Sequence, residues 1–132
     1  MQLDRALYDQ IVAQARAEAP NECCGIIAAQ DGRAVAVHPA RNAAATPIKL
    51  YEMDGMEQYR IQKAIEDAGQ EIGAIYHSHP ATEAKPSQTD IKLAFYPEAL
   101  YVIVSLAQDE PIVRAFRIEK GEVSERALEV VG

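Results

Sequence analysis

Leu3, Leu7, Ile11 and Ala15 recur every four residues at the start of the chain, with Asp4 placed to cap the first turn. That spacing predicts an amphipathic helix ending before Pro20. Residues 23–29 form a short apolar run, Asp31-Gly32 interrupts it, and residues 33–37 resume with alternating polarity. An Asp-Gly pair between two such runs predicts a β-hairpin. Two prolines, an Asn and an Ala-rich stretch make residues 38–49 a long loop. Met56, Arg60, Ala64 and Ala68 then share a helical column, flanked by Tyr59, Ile61 and Ile65, over a second helix at about residues 55–68.

Residues 72–76 read as a buried strand running straight into His77. After a polar loop, residues 87–94 form a short helix closed before Pro97, and three strands follow at 100–106, 112–119 and 122–130. The predicted fold class is mixed α/β, with a largely antiparallel sheet and helices packed on it. One domain spanning 1–132 is expected, since compact domains mostly run about 100–200 residues.

Composition narrows the classes of function. Thirteen Lys and Arg against 20 Asp and Glu leave a net charge of −7, which argues against a nucleic-acid partner. The longest apolar runs reach strand length only, well short of the roughly 20 residues of a spanning helix. The charged N-terminus lacks the apolar core of a signal peptide, so a cytoplasmic location without membrane partners is expected. Cys23 and Cys24 are adjacent and cannot staple distant segments, which fits a reducing compartment.

The chemistry concentrates in His77-Ser78-His79-Pro80, followed by Ser87 and Asp90. Strand geometry turns His77 and His79 to one face, with α-carbons roughly 6–7 Å apart. Both rings can then reach one zinc ion, and Asp90 can add a carboxylate oxygen from the next helix. Three such ligands leave a fourth tetrahedral position open, as catalytic zinc sites do. Ser87-Gln88-Thr89-Asp90 also reads as a helix-capping pattern, and a His-x-His pair alone is common in strands. The joint pattern His-x-His-x7-Ser-x-x-Asp should arise by chance with a probability on the order of one in ten thousand. A hydrolytic site also needs a base. Glu22, beside the apolar run that begins at Cys23, is the best placed, although a solvent-facing strand-edge carboxylate is the plainer reading of it.

Glu22, His77-Ser78-His79, Ser87 and Asp90 together resemble the signature of the JAMM (MPN-plus, Mov34/PAD-1) zinc peptidases, with Pro80 to Pro86 as the seven intervening residues. The resemblance extends over residues 21–27, Arg41-Asn42 and Tyr51, and residues 81–94 are similar to the bacterial single-domain branch. It implies a JAMM/MPN, cytidine-deaminase-like architecture, with one Zn²⁺ per chain held by His77, His79 and Asp90. Glu22 would take a proton from the attacking water and pass it to the leaving amine, and Ser87 would hydrogen-bond the oxyanion. The implied substrate is a bond after the C-terminal Gly-Gly of a ubiquitin-like sulfur-carrier protein, with cysteine a leading leaving group. A general isopeptidase and a non-catalytic MPN-type scaffold are the alternatives.

Ser78 is assigned a structural role on the opposite face of the strand. The loops at 38–49 and 80–86 are expected to line the substrate groove. His38 reads as a loop or surface histidine, Cys23 and Cys24 as buried filling rather than nucleophiles, and Lys85 and Lys92 as solvated charges. The carrier's identity and the oligomeric state are left open.

Overall fold

The parity of apolar residues along eight strands decides what each face of the sheet carries. In the computed structural model, which describes residues 1–132, the elements run β1 (Gln2–Asp4), α1 (Arg5–Glu18), β2 (Cys24–Gln30), β3 (Arg33–Ala40), α2 (Gly55–Asp67), β4 (Glu71–His79), α3 (Gln88–Lys92), β5 (Leu100–Ser105), β6 (Ile112–Glu119), β7 (Glu122–Arg126) and β8 (Glu129–Val131). The strand order is β7-β6-β5-β4-β2-β3-β1-β8. The β4/β5, β1/β3 and β1/β8 pairs are parallel and the others antiparallel, so the sheet is mixed and mostly antiparallel.

α1 lays Ile11, Val12 and Ala15 against Ile27, Ala74, Tyr76, Val102 and Val104 on one face. The alternate residues form the other face, where Ile26 and Ala28 meet Ile65 of α2, and Ile75, Tyr101, Ile103 and Phe116 surround Ala84. Each Val, Ile or Phe side chain among these contributes roughly 1.5–3 kcal/mol when fully buried. In β4, Ala74 and Tyr76 face α1, so His77 and His79 fall with Ile75 on the other side. β4 sits between β2 and β5 in the interior of the sheet, and its last six residues are all buried.

Several expectations are corrected. Asp4 precedes α1 but makes no capping bond; its carboxylate takes Arg33 at 3.1 and 3.2 Å, because Gln2–Asp4 forms a strand beside β3. The strand expected over 122–130 breaks after Arg126. Its end, β8, crosses to the far edge and pairs with β1, fastened by hydrogen bonds between Met1 and the backbone of Ala127 and Glu129. β3 continues through His38 and Pro39 to Ala40, so His38 lies in a strand opposite Ile26 rather than in a loop. α2 starts where expected, with Asp54 accepting from the Glu57 N–H, but its inward face is the Ile61/Ile65 flank. Met56, in the predicted column, is 64% exposed. No helix is long and apolar enough to cross a membrane.

The Asp31-Gly32 turn forms as expected, with φ of 53° and 78° at its two residues, the left-handed pair of a type I′ hairpin. Gly25 answers a different need. It lies opposite Tyr76 in the β2/β4 register, where a Cβ would overlap the tyrosine ring. The Tyr76 hydroxyl donates to Gln14 Oε1, and Gln14 Nε2 donates to the Cys24 carbonyl at 3.0 Å, which ties α1 to the start of β2. Gly25→Ala should therefore cost about 1–3 kcal/mol by overpacking. Gly55→Ala, where nothing lies within 4 Å, should leave stability unreduced. Thermal unfolding of the two variants beside the parent checks the contrast.

Candidate metal centre

β4 ends in two histidines because alternation and burial act together on its last turn of pleat. His77 Nε2 and His79 Nε2 lie 3.2 Å apart. Asp90 reaches them from α3, with Oδ2 at 3.1 Å from His77 Nε2 and 3.0 Å from His79 Nε2. All three residues are buried. Four ligands at about 2.0–2.1 Å around tetrahedral zinc stand about 3.3 Å apart, so this triangle has close to the right edge.

The hydrogen bonds around the triangle fit a cation at its centre. His79 Nδ1 lies 2.8 Å from the Glu83 carbonyl oxygen, which can only accept, so Nδ1 carries a hydrogen and Nε2 is the nitrogen free to bind a metal. Burial works against charge on His79, but its bonds to Asp90 and Glu83 outweigh it and raise the pKa. Burial is the larger effect at His77 and lowers its pKa, although Asp90 opposes it. At Asp90 burial alone would raise the carboxyl; hydrogen bonds from both histidines and the Ser87 N–H win and hold it below the usual carboxylate range. His77, His79 and Asp90 are a group that could hold a metal ion.

α3 places Asp90 through a capping box. Ser87 Oγ accepts from the Asp90 N–H at 3.0 Å, and the Ser87 N–H donates to Asp90 Oδ2 at 2.9 Å. Capping uses one acceptor of the Ser87 hydroxyl, and its own hydrogen remains available to a ligand. Ser87 is exposed, so that hydrogen is accessible.

Glu22 overturns its plainer reading. It is only 6% exposed, and its Oε1 is buried without a partner. Desolvation raises its pKa to about 7; the nearby His79 opposes the rise and the Asp90 charge adds to it. The register that pairs Cys24 with His77, continued by the Ser78 N–H donating to the Cys23 carbonyl at 3.1 Å, brings Glu22 alongside this cluster.

Ser78 points to the α1 face and accepts from the Cys23 N–H at 2.8 Å, a structural bond between the two site-bearing strands. Cys23 and Cys24 are both buried, and burial pushes their thiols up to about 11 and about 12, so they are protonated at neutral pH. His38 takes no part in the cluster. One neighbour was not singled out by its chemistry in the sequence: the Tyr51 ring stacks on His77, centroids 4.5 Å apart and planes at 23°. An aromatic in a loop carries no periodic signal, and only its place in the family resemblance marks it.

The description of Prok-JAB, prokaryotic homologs of the JAB domain, matches residues 4–119. The chain belongs to this family. It is similar to the CysO-cysteine peptidase of Mycobacterium tuberculosis (strain ATCC 25618 / H37Rv), 42% identical over 95% of this chain and 87% of the relative. It is similar also to the desampylase of Haloferax volcanii, 43% identical over 74% of each. Among solved structures it resembles protein DSY2949 from Desulfitobacterium hafniense, with TM-score 0.89, 34% identity and coverage of 98% and 92% of the two chains. AF2198, a JAB1/MPN domain protein from Archaeoglobus fulgidus, shares the fold with TM-score 0.68 at 21% identity, each chain fully covered. With relatives named as peptidases along most of its length, this prokaryotic JAB protein is a peptidase of the JAMM type.

The raised Glu22 pKa has a measurable consequence in metal-free protein. The folded chain keeps the Glu22 proton to about pH 7, whereas the ordinary value is 4.5. Folded protein thus binds more protons between these values, and stability falls as pH rises through that window. Metal-free Glu22→Gln should melt above metal-free parent protein at pH 8.5, with the gap closing near pH 4.5. Thermal unfolding of chelator-treated proteins across that range tests it.

Proposed function

We propose that this JAMM-type peptidase hydrolyses the bond after the C-terminal Gly-Gly of a ubiquitin-like sulfur-carrier protein, releasing an amine such as cysteine. The observation that carries the reading is the buried triangle of His77, His79 and Asp90 with the unpartnered carboxylate of Glu22 beside it. In this reading His77 and His79 hold one Zn²⁺ through Nε2, and Asp90 through Oδ2. Zinc so held supplies Lewis acidity toward the scissile carbonyl and makes water acidic enough to attack near neutral pH.

Glu22 takes a proton from the attacking water at a carboxylate oxygen, as the water oxygen bonds to the carbonyl carbon. The same group returns that proton to the leaving nitrogen as the C–N bond breaks. Ser87 Oγ keeps its acceptor in the helix cap and gives its hydrogen to the developing oxyanion. Asp90, fixed by the Ser87 N–H, keeps its oxygen turned to both histidines.

A cavity of about 360 Å³, lined by Tyr51, Met53, Ile75, Phe95 and Tyr96, opens beside the triangle, since Tyr51 both walls it and stacks on His77. An extended tail ending in two glycines, free of side chains, suits passage from this apolar cavity past Tyr51 to the His77/His79/Asp90 centre. The relatives named for CysO-cysteine and for desampylation support a carrier-type substrate. Reading the location as cytoplasmic accords with two protonated, unpaired thiols.

The test uses zinc-loaded protein and a carrier extended by cysteine beyond Gly-Gly. Cysteine should be released, release should stop on chelation, and Glu22→Gln should lose about 10²–10⁴-fold in kcat while retaining its zinc. An intact substrate after prolonged incubation with zinc-loaded protein overturns the proposal. Undiminished cleavage by Glu22→Gln overturns the assignment of the base.

A further inference from the structure

Glu22 reaches the metal centre from a segment outside the sheet ladder. Its N–H donates to the Pro47 carbonyl at 2.8 Å, and its carbonyl accepts from Asn42 Nδ2 at 3.0 Å. Both backbone groups of Glu22 are therefore held by the stretch between Asn42 and Leu50, not by a neighbouring strand. The carboxylate itself has no partner at Oε1 that could fix it. The β2/β4 register brings Glu22 to the cluster, and that stretch sets how its carboxylate stands relative to His77 and His79.

Asn42 shapes it. Besides the Glu22 carbonyl, Nδ2 donates to the Leu50 carbonyl at 2.9 Å and lies 3.4 Å from that of Pro47. Oδ1 accepts from the Ala44 N–H at 3.0 Å and the Glu52 N–H at 3.1 Å. The orientation of the amide is unambiguous, because reversing it would turn its oxygen onto three carbonyls. The Leu50 carbonyl and the Glu52 N–H belong to the two peptide groups on either side of Tyr51. One side chain thus grips Glu22 and both flanks of the residue whose ring stacks on His77. The Ala43 N–H donating to the Glu52 carbonyl and the Asn42–Met53 bridge close the same loop.

We propose that Asn42 is the positioning residue of the site, fixing through one amide both the Glu22 carboxylate and the Tyr51 ring against the His77/His79/Asp90 centre. It lies outside the His77/His79/Asp90 group and acts through the two residues it holds. The catalytic part of this inference rests on the function proposed above, whereas the geometric part does not.

Asn42→Asp is nearly isosteric. It keeps the two acceptor contacts of Oδ1 and removes the donors to Glu22 and Leu50. Zinc content should match the parent, because no ligand is touched. With the Gly-Gly-cysteine carrier, kcat should fall about 30-fold while KM stays within about two-fold, as expected when a reacting group is misplaced. In the Glu22→Gln background, adding Asn42→Asp should lower the residual kcat less than about two-fold, because the residue it acts through is already disabled. A full second loss in that background, or parent-like kcat in Asn42→Asp alone, overturns the proposal. Asn42→Ala, which presents no charge to the three carbonyls, must show the same non-additivity.

An activity-free measurement separates this inference from the proposed reaction. In NMR spectra of the zinc-loaded parent, the His77 ring protons should be shifted by the Tyr51 ring current, and Tyr51→Leu should abolish the shift. Asn42→Asp should move the signals most of the way to the Tyr51→Leu position. Unmoved His77 signals overturn the inference even if the parent is active. If the parent leaves the carrier intact but the signals move, the proposed reaction fails and the positional role stands.

Discussion

Three donor atoms meet at one point in this fold: two imidazole nitrogens and a carboxylate oxygen, all buried, with 3.0–3.2 Å between each pair. Because His79 Nδ1 already donates to Glu83, the neutral ring presents the lone pair of Nε2 to that point. That lone pair and the ionised Asp90 carboxylate suit a divalent ion, with geometry the side chains already hold. Much of the surrounding structure serves to keep the three atoms together and dry. α3 is five residues long; it delivers Asp90 through a capping box and packs Ile91 against the core.

The sheet brings these groups together by parity and register. β4 carries Tyr76 and Ser78 toward α1 and the two histidines to the other face. Ser78 and Gly25 then fasten β2 to β4 from the α1 side, by a hydrogen bond to Cys23 and by leaving room for the Tyr76 ring. That fastening sets the end of β2 against the end of β4, so a charge just upstream of β2 arrives beside His79. An interior strand supplies the two histidines, and less regular backbone supplies the Glu22 carboxylate and the Tyr51 ring that flank them.

What could be read from the sequence follows the range of the forces involved. His77 and His79 were legible because a two-residue period is local, and Asp90 because a short helix fixes its offset from Ser87. The Asp31-Gly32 hairpin was legible for the same reason. Burial of Glu22 was not, since it depends on residues 42–50 folding over it, and nothing near position 22 encodes that cover. The stacking of Tyr51 on His77 was hidden likewise. The alternation over 122–130 marks extended backbone, but the partner of its last residues is at the other end of the chain, so the break into β7 and β8 leaves no local trace. In α2 the apolar residues Met56 and Tyr59 face outward, and helical periodicity alone could not tell a core stripe from a surface one.

Two imidazoles and a carboxylate, without sulfur, make up the proposed metal site. Two buried thiols at Cys23 and Cys24 lie next to Glu22 in sequence and offer the obvious competing ligands. X-ray absorption at the zinc edge of the loaded protein separates the two sets directly. Nitrogen and oxygen scatterers at about 2.0–2.1 Å are expected, including the outer-ring signature of two imidazoles. A scatterer at about 2.3 Å, the zinc–sulfur distance, or fewer than two imidazoles would contradict this ligand set.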